Sequence, residues 1–439
     1  MSSIENDADF VKDYYGLSDP LTSKKYVLKK PFVKVFQNGI NFDYDFEKEG
    51  FKSPFYFRDC EGLDMKMPLI KENLENLLRH CGGDRIVPAV ESISQKVKPM
   101  RLEEYIKEFR KEENSLNLLS LEVSDTYLDK KVLGPNKVYE MDWVKNAYPD
   151  SYKPQGPGIW TSHPKIAKYC LLSSKGSFTD FHIDFGGTSV WYHVLKGKKI
   201  FWLVKPTDEN LELYKNWKLK SSDSSFFGDV VKECQRVELK ENSLFLMPSG
   251  WIHGVYTPEK SIVFGGNFLH FDAIKMQLKI TKLQNEEMNI PIENRFPNQI
   301  RLYWYVADYV VRCCGGRSYI DQNVLNDSTN VKKVKKKTFT ESQITELAYL
   351  VEYLKTTKKT RVEGITSCRQ LYNEFNKVVT ELSNSIKDEN DSEDDMPLIG
   401  FKETKKSISK EKVLCKLRFE LFTLSIRIHT KVLLLVYYF

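Results

Sequence analysis

FTDFHIDFGGTSVWYHVLKG, residues 178–197, is the stretch from which the rest of the chain can be read. His182 and Asp184 stand two apart. On a β-strand, residues two apart point to the same face. A neutral imidazole beside a carboxylate supplies two corners of a divalent-metal site. The third corner must come from elsewhere, and the best candidate is His253 in Pro248-Ser249-Gly250-Trp251-Ile252-His253. Two histidines and one carboxylate that leave open positions opposite form the facial triad of non-haem Fe(II) oxygenases. An HxD pair alone is a weak signal, because a strand with a satisfied histidine and a surface aspartate reads the same way. The flanking residues set the context: Thr188 to Leu195 and Lys199 to Val204 are aromatic and β-branched, which places the pair in a sheet.

Working outward, further strands are expected at 166–173, 178–183, 235–239, 243–247, 252–257 and 261–268. About eight short strands with Gly/Pro turns point to a closed two-sheet jelly roll, the cupin-type barrel or double-stranded β-helix. A helix is expected between strands at 208–217. After His270 the apolar spacing becomes helical, at 273–285, 299–313, 341–355 and 367–386. Before the barrel, PFVKVF and FKSPFYF are β-like, 68–79, 102–111 and 141–148 are helical, and 85–97 is extended. The fold class is therefore mixed α+β, a barrel with N-terminal α/β elements and a C-terminal helical region.

HIDFGGTSVWYHVLKGKKIFWLVKPT (182–207), FFGD (226–229), PSGWIHGVYTP (248–258) and FGGNFLH (264–270) resemble the JmjC histone lysine demethylases. The resemblance is to the plant-homeodomain-linked lysine demethylase 7 group, with the demethylase 2 group sharing most of the words. It covers roughly Cys81 to Cys314. It implies a JmjC barrel and an enzyme dependent on Fe(II), 2-oxoglutarate and dioxygen. His182, Asp184 and His253 would then be the catalytic metal ligands.

The remaining site residues follow from the same resemblance. Lys199, Thr179, Asn117 and Tyr192 match its 2-oxoglutarate contacts, and Tyr169, Asn267 and Gly186 match positions facing the methylated lysine. From the residues alone Lys199 reads as a solvated strand lysine beside Lys198, and Gly186-Gly187 as a tight turn. Trp191, Trp202 and Trp251 read as core. The implied reaction hydroxylates an N-methyl group to a hemiaminal that releases formaldehyde. The implied substrates are mono- and dimethyl-lysine, at lysine 9 and/or lysine 27 of histone H3, or lysine 36 in the demethylase 2 group. A JmjC protein hydroxylase and a non-catalytic chromatin scaffold are the competing readings. The local wording favours a demethylase over a hydroxylase, and the complete triad with Lys199 argues against a scaffold.

Composition fits this frame. The 439 residues suffice for a sizeable core, and 41% are hydrophobic. A net charge of +6 permits a chromatin partner without requiring one. Eight irregularly spaced cysteines include no CxxC pair, so a reduced intracellular chain is expected, without the zinc finger that often accompanies these families. A reader-domain partner would compensate. MSSIENDADF has no secretory pattern, and no membrane span is expected. The expected location is the nucleus.

The expected organisation is a polar segment (1–30), N-terminal α/β elements (31–115), the JmjC catalytic domain (116–272) and a helical region (273–386). An acidic linker (387–411) and an apolar tail (412–439) follow. Within the helical region, the basic run Lys332 to Lys337 reads either as a solvated linker or as a nuclear-import or DNA-phosphate patch. The tail matches no family pattern and is open between a helix on the body and an alternative transcript end.

Overall fold

The structure, a computed structural model, describes residues 18–42, 46, 50–69, 74–92, 94–112, 114, 116–152, 162–220, 225–321, 324 and 336–394, the last eight by backbone alone. Most of the basic run, most of the acidic linker and all of the apolar tail lie outside these residues. Those up to Ile386 pack as one unit, and of Lys387–Phe439 only a helical backbone at 387–394 is described. Among the described residues no helix is long and apolar enough to cross a membrane.

Eleven strands form the framework: β1 (Lys34–Phe36), β2 (Phe55–Phe57), β3 (Ile86–Glu91), β4 (Val97–Arg101), β5 (Leu116–Glu122), β6 (Tyr169–Ser173), β7 (Phe178–His182), β8 (Ser189–Val204), β9 (Gln235–Leu239), β10 (Leu244–Met247) and β11 (Ile252–Phe268). They hydrogen-bond in the order β1-β2-β10-β8-β11-β6-β5-β3-β4, with β7 on β11 and β9 on β8. Every pairing is antiparallel except β1 with β2.

The long strands β8 and β11 differ from expectation. Each was expected as two strands separated by a turn. Instead they pair along their whole length, from Ile252↔Val204 to Phe268↔Ser189, with register shifts between Tyr256 and Val263. Gly197 makes the bend possible. Its φ is +82°, and a Cβ there would lie 2.3 Å from the Lys260 carbonyl oxygen. The two ends of the pair acquire different neighbours. The 190–193 end of β8 meets β10 and the 199–203 end meets β9; the 261–265 end of β11 meets β6 and the 253–256 end meets β7.

The longer helices among the described residues are α1 (Leu102–Arg110), α2 (Asp208–Leu219), α3 (Ile274–Lys282), α4 (Gln299–Cys313), α5 (Glu341–Thr357) and α6 (Cys368–Asp394). α4 is apolar on nearly every side, as a helix in a core must be. Leu302 to Ala307, Val310 and Val311 are all buried, against Leu347, Leu350 and Leu354 of α5 and Leu371 and Phe375 of α6. Its one buried charge, Asp308, is satisfied by Arg312 at 2.7 Å, Ser318 at 3.1 Å and the Tyr319 N–H at 2.5 Å.

Three helical expectations shift. The segment 141–148 belongs to two helices, Asn136–Met141 and Trp143–Asn146, because the Asp142 carboxylate caps the N–H groups of Val144 and Lys145 at 3.0 and 3.3 Å. Of 68–79 only Glu75 onward is helical among the described residues, as Glu75–Cys81. The expected 273–285 helix gives way after Lys282 to a π-turn, Leu283–Glu287. Lys337, from the end of the basic run, lies over the Phe271 and Phe339 rings at 4.8 and 5.7 Å. The seven described cysteines are free.

Gly197→Ala is expected to destabilise the fold by about 1–3 kcal/mol, since a left-handed residue acquires a Cβ against a carbonyl. Chemical denaturation of variant and wild type measures this.

Candidate active site

β7 and β11 bring the two histidines together, with His182 and His253 as opposed residues in the ladder. Their ring centroids are 4.1 Å apart. Asp184 follows β7 at the entrance to the Phe185–Gly187 turn, and its Oδ2 is 4.0 Å from His253 Nε2. The three possible donor atoms lie within 4.8 Å of one another.

Backbone carbonyls fix both tautomers. His182 Nδ1 is 2.9 Å from the Asp180 carbonyl and His253 Nδ1 is 3.1 Å from the Trp251 carbonyl. A carbonyl only accepts, so each Nδ1 carries the proton and each Nε2 keeps its lone pair. Burial, and then the neighbouring His253, push His182 down to about 4, and burial pushes His253 to about 4. Burial raises Asp184. Two neutral imidazole nitrogens and one carboxylate oxygen, close together and without a cationic side chain at ion-pair distance among the described residues, fit a divalent cation.

The same cavity extends to Lys199. Lys199 is only 2% exposed, and its ammonium donates to Thr257 Oγ1 at 2.9 Å. No carboxylate pairs with it among the described residues. Burial lowers it to about 7. A buried ammonium with one neutral acceptor is costly unless an anion joins it. Lys198, by contrast, points outward and bridges Glu259 at 3.0 Å.

The other expected residues divide into two sets. Thr179, Tyr192, Tyr169 and Asn267 line the cavity. Tyr192 is edge-on to Phe201, with centroids 5.3 Å apart. Tyr169 donates its phenol proton to the Lys165 carbonyl at 2.7 Å. Asn267 donates to Thr188 Oγ1 at 2.9 Å. Asn117 stands behind Thr179, with Nδ2 3.5 Å from Thr179 Oγ1 and its own Oδ1 buried with no partner among the described residues. Gly186 is not among the residues lining the cavity. Its φ of +60° turns the chain against Phe296 and Gln299, where a Cβ would meet either at 2.8 Å.

Sequence reading missed Thr257 and Gln284. Thr257 lies on β11 at period two from His253, a signal that was available. Gln284 is placed by the π-turn, for which no signal existed. Its Oε1 accepts from the Gly186 N–H at 2.8 Å, and its Nε2 donates to the carbonyls of Ile183 at 3.0 Å and Asp184 at 3.3 Å. Ser249 closes the turn by donating to the Gly187 carbonyl at 2.5 Å.

No family model matches the chain. Among curated proteins it is 39% identical to lysine-specific demethylase 2A of Xenopus tropicalis over 339 residues, 75% of this chain and 29% of that protein. It is 39% identical to JmjC domain-containing histone demethylation protein 1 of Caenorhabditis elegans over 297 residues, 64% of this chain and 27% of the relative. It is 40% identical to lysine-specific demethylase 7A of Danio rerio over 265 residues, 60% of this chain and 29% of the relative. The matched part is thus under a third of each of these proteins. Over that span the chain is similar to proteins named as lysine-specific demethylases and JmjC domain-containing histone demethylation proteins.

Gln284→Ala is expected to lower divalent-metal affinity by about 10- to 100-fold, the usual cost of losing support behind a metal ligand. Titration with cobalt(II), followed by its visible absorption, measures this.

Proposed function

We propose that this chain is an Fe(II)- and 2-oxoglutarate-dependent histone lysine demethylase acting on mono- and dimethyl-lysine of the histone H3 tail in the nucleus. Lysine 9 and lysine 27 are the first candidate marks, with lysine 36 as the alternative. The bent β8–β11 pair is read as the spine of a double-stranded β-helix, the cupin-type JmjC barrel. The observation that carries the reading is a single cavity with His182, Asp184 and His253 at one end and the unpaired Lys199 ammonium at the other.

His182 and His253 would hold iron through Nε2 and Asp184 through its carboxylate. Lys199 would pair with the far carboxylate of 2-oxoglutarate, with Thr179 as a hydroxyl contact, Tyr192 alongside and Asn117 supporting Thr179. Bound iron and 2-oxoglutarate supply hydroxylation of an N-methyl group by dioxygen. The protein's part is to hold and to exclude. The two Nδ1–H groups donate to backbone carbonyls, so the Nε2 nitrogens remain unprotonated. Val190, Phe245 and Met247 line the cavity with apolar surface and limit water. Tyr169 and Asn267 would border the methylammonium. The Lys332–Lys337 run would contact DNA phosphates, and a reader domain supplied by a partner would add mark selection.

Mass spectrometry of dimethylated H3 peptides incubated with protein, Fe(II), ascorbate and 2-oxoglutarate tests the activity. The expected result is loss of 14 or 28 mass units (one or two CH2) with wild type and none with His182→Ala. A gain of 16 without loss would replace this reading with a protein hydroxylase. An unchanged peptide on every mark would reject it.

Lys199 adds a pH signature. A cation lowered to about 7 is charged below that pH and neutral above it. Apparent 2-oxoglutarate affinity is therefore expected to be level below pH 7 and to fall up to about tenfold per unit above it. Calorimetric titration of the metal-loaded protein without oxygen, from pH 6 to 9, measures this, and Lys199→Met should lose the dependence with the affinity.

A further inference from the structure

Glu122 is a buried carboxylate that the reading above leaves unused. It is 8% exposed. One oxygen accepts the Ser124 N–H at 2.9 Å, and the other is buried with no hydrogen-bond partner among the described residues. Such a group is rare in a folded protein and calls for an explanation, such as a missing donor.

The direction of its side chain follows from a bulge. β5 pairs with β6 as Asn117↔Ser173 and Leu118↔Leu172, and then, after a register shift, as Leu121↔Cys170 and Glu122↔Tyr169. β5 has one residue more than β6 between these pairs, so its alternation inverts. Leu118, Leu121, Cys170 and Leu172 all face one hydrophobic core. Leu119, Tyr169 and Leu171 line the metal cavity. Glu122, opposed to Tyr169, lies on the same side of the sheet as the cavity, next to Tyr169, because directly opposed residues share a face; it is not itself among the lining residues.

Burial raises the Glu122 carboxyl above the usual carboxylate range, and its charged form lacks a compensating cation among the described residues. The nearest cation, Lys165, is tied to Asp125 at 2.8 Å, and Asp125 also holds Arg85 at 3.0 Å. After burial, Glu122 and then Asp184 raise the Tyr169 phenol, so both carboxylates lie near it. The Tyr169 proton is directed at the Lys165 carbonyl, so the phenol oxygen presents lone pairs. This corner offers a charged acceptor beside a neutral one and suits a cation that donates a hydrogen bond.

We propose that Glu122 is a specificity-determining residue: its unpartnered oxygen accepts the N–H of a protonated mono- or dimethyl-lysine beside Tyr169, so the site selects an alkylammonium that keeps a proton. The assignment rests on the demethylase reading. It gives a physical basis for discrimination against trimethyl-lysine, which is cationic but has no N–H to give.

The test is binding without turnover. Wild type, Glu122→Gln and Glu122→Leu are loaded with nickel(II) and 2-oxoglutarate and titrated with fluorescent H3 peptides carrying dimethyl- or trimethyl-lysine at position 9, 27 or 36. Glu122→Gln can keep the Ser124 contact, and thermal denaturation checks the fold of each variant. Dimethyl peptide affinity is expected to fall by about 10- to 100-fold, the range for a hydrogen bond to a charged group. Trimethyl affinity should fall less, so that the dimethyl-to-trimethyl ratio shrinks. Unchanged affinities and ratio, with only the melting temperature lowered, would make Glu122 structural and overturn the assignment. If the wild type binds none of the peptides, the demethylase reading falls and takes this assignment with it; if the variants match a binding wild type, the assignment falls alone.

Discussion

The antiparallel pairing of β8 with β11 is the constraint on which the rest depends. Its 252–256 end carries His253 opposite β7, which brings His182 and, just beyond it, Asp184. Its middle buries Lys199 beside Thr257. Its far end carries Tyr192 opposite Gly265, near Asn267. One strand pair therefore fixes the separation of the His182, Asp184 and His253 cluster from Lys199 in the shared cavity. The bend at Gly197, with the register shifts opposite it, lets a single strand pair line both ends.

The helical region completes the site from outside. α3 packs on the Phe185–Gly187 turn so tightly that a Cβ on Gly187 would lie 2.9 Å from Gln277 Cα. The π-turn after it aims Gln284 at the backbone around Asp184, and Gln299 of α4 reaches the Gly186 carbonyl at 3.3 Å. The C-terminal helices thus hold the turn that presents Asp184. Gly186, which resembles a substrate-facing position in sequence, and Gly187 beside it serve in this fold as contact points for the helices.

Much of the site was legible because period-two patterns survive where strands are regular. His182 and Asp184, and His253 after its Pro-Ser-Gly turn, could be read from spacing and chemistry. The choice of Lys199 over Lys198 could not. Counted by twos from Val190 and Tyr192, which face the cavity, Lys198 would point inward. The Gly197 bend inverts the count, and only the family resemblance gave the right register. The β5 bulge inverts Glu122 in the same way, and no local residue announced it. Long strands were read as pairs of short ones because a glycine in a strand looks like a turn until its partner strand is known. The helices most apolar in sequence, above all 299–313, were the easiest to place, whereas the π-turn and the Asp142 break depend on side-chain contacts that periodicity does not encode.

The position of His253 opposite His182 also bears on how the protein folds. The two ligands are far apart in the chain, and between them lie β8, α2, β9 and β10. Closing so long a loop is entropically unfavourable until the intervening strands have paired. The unfolded chain offers a metal only the local His-x-Asp pair, so the complete ligand set arrives late, with the sheet itself. A cation bound by all three groups favours only chains whose long-range pairing is complete, and it stabilises them by mass action. Metal occupancy would then report the fraction of molecules in which β11 has docked, as well as the strength of the coordination.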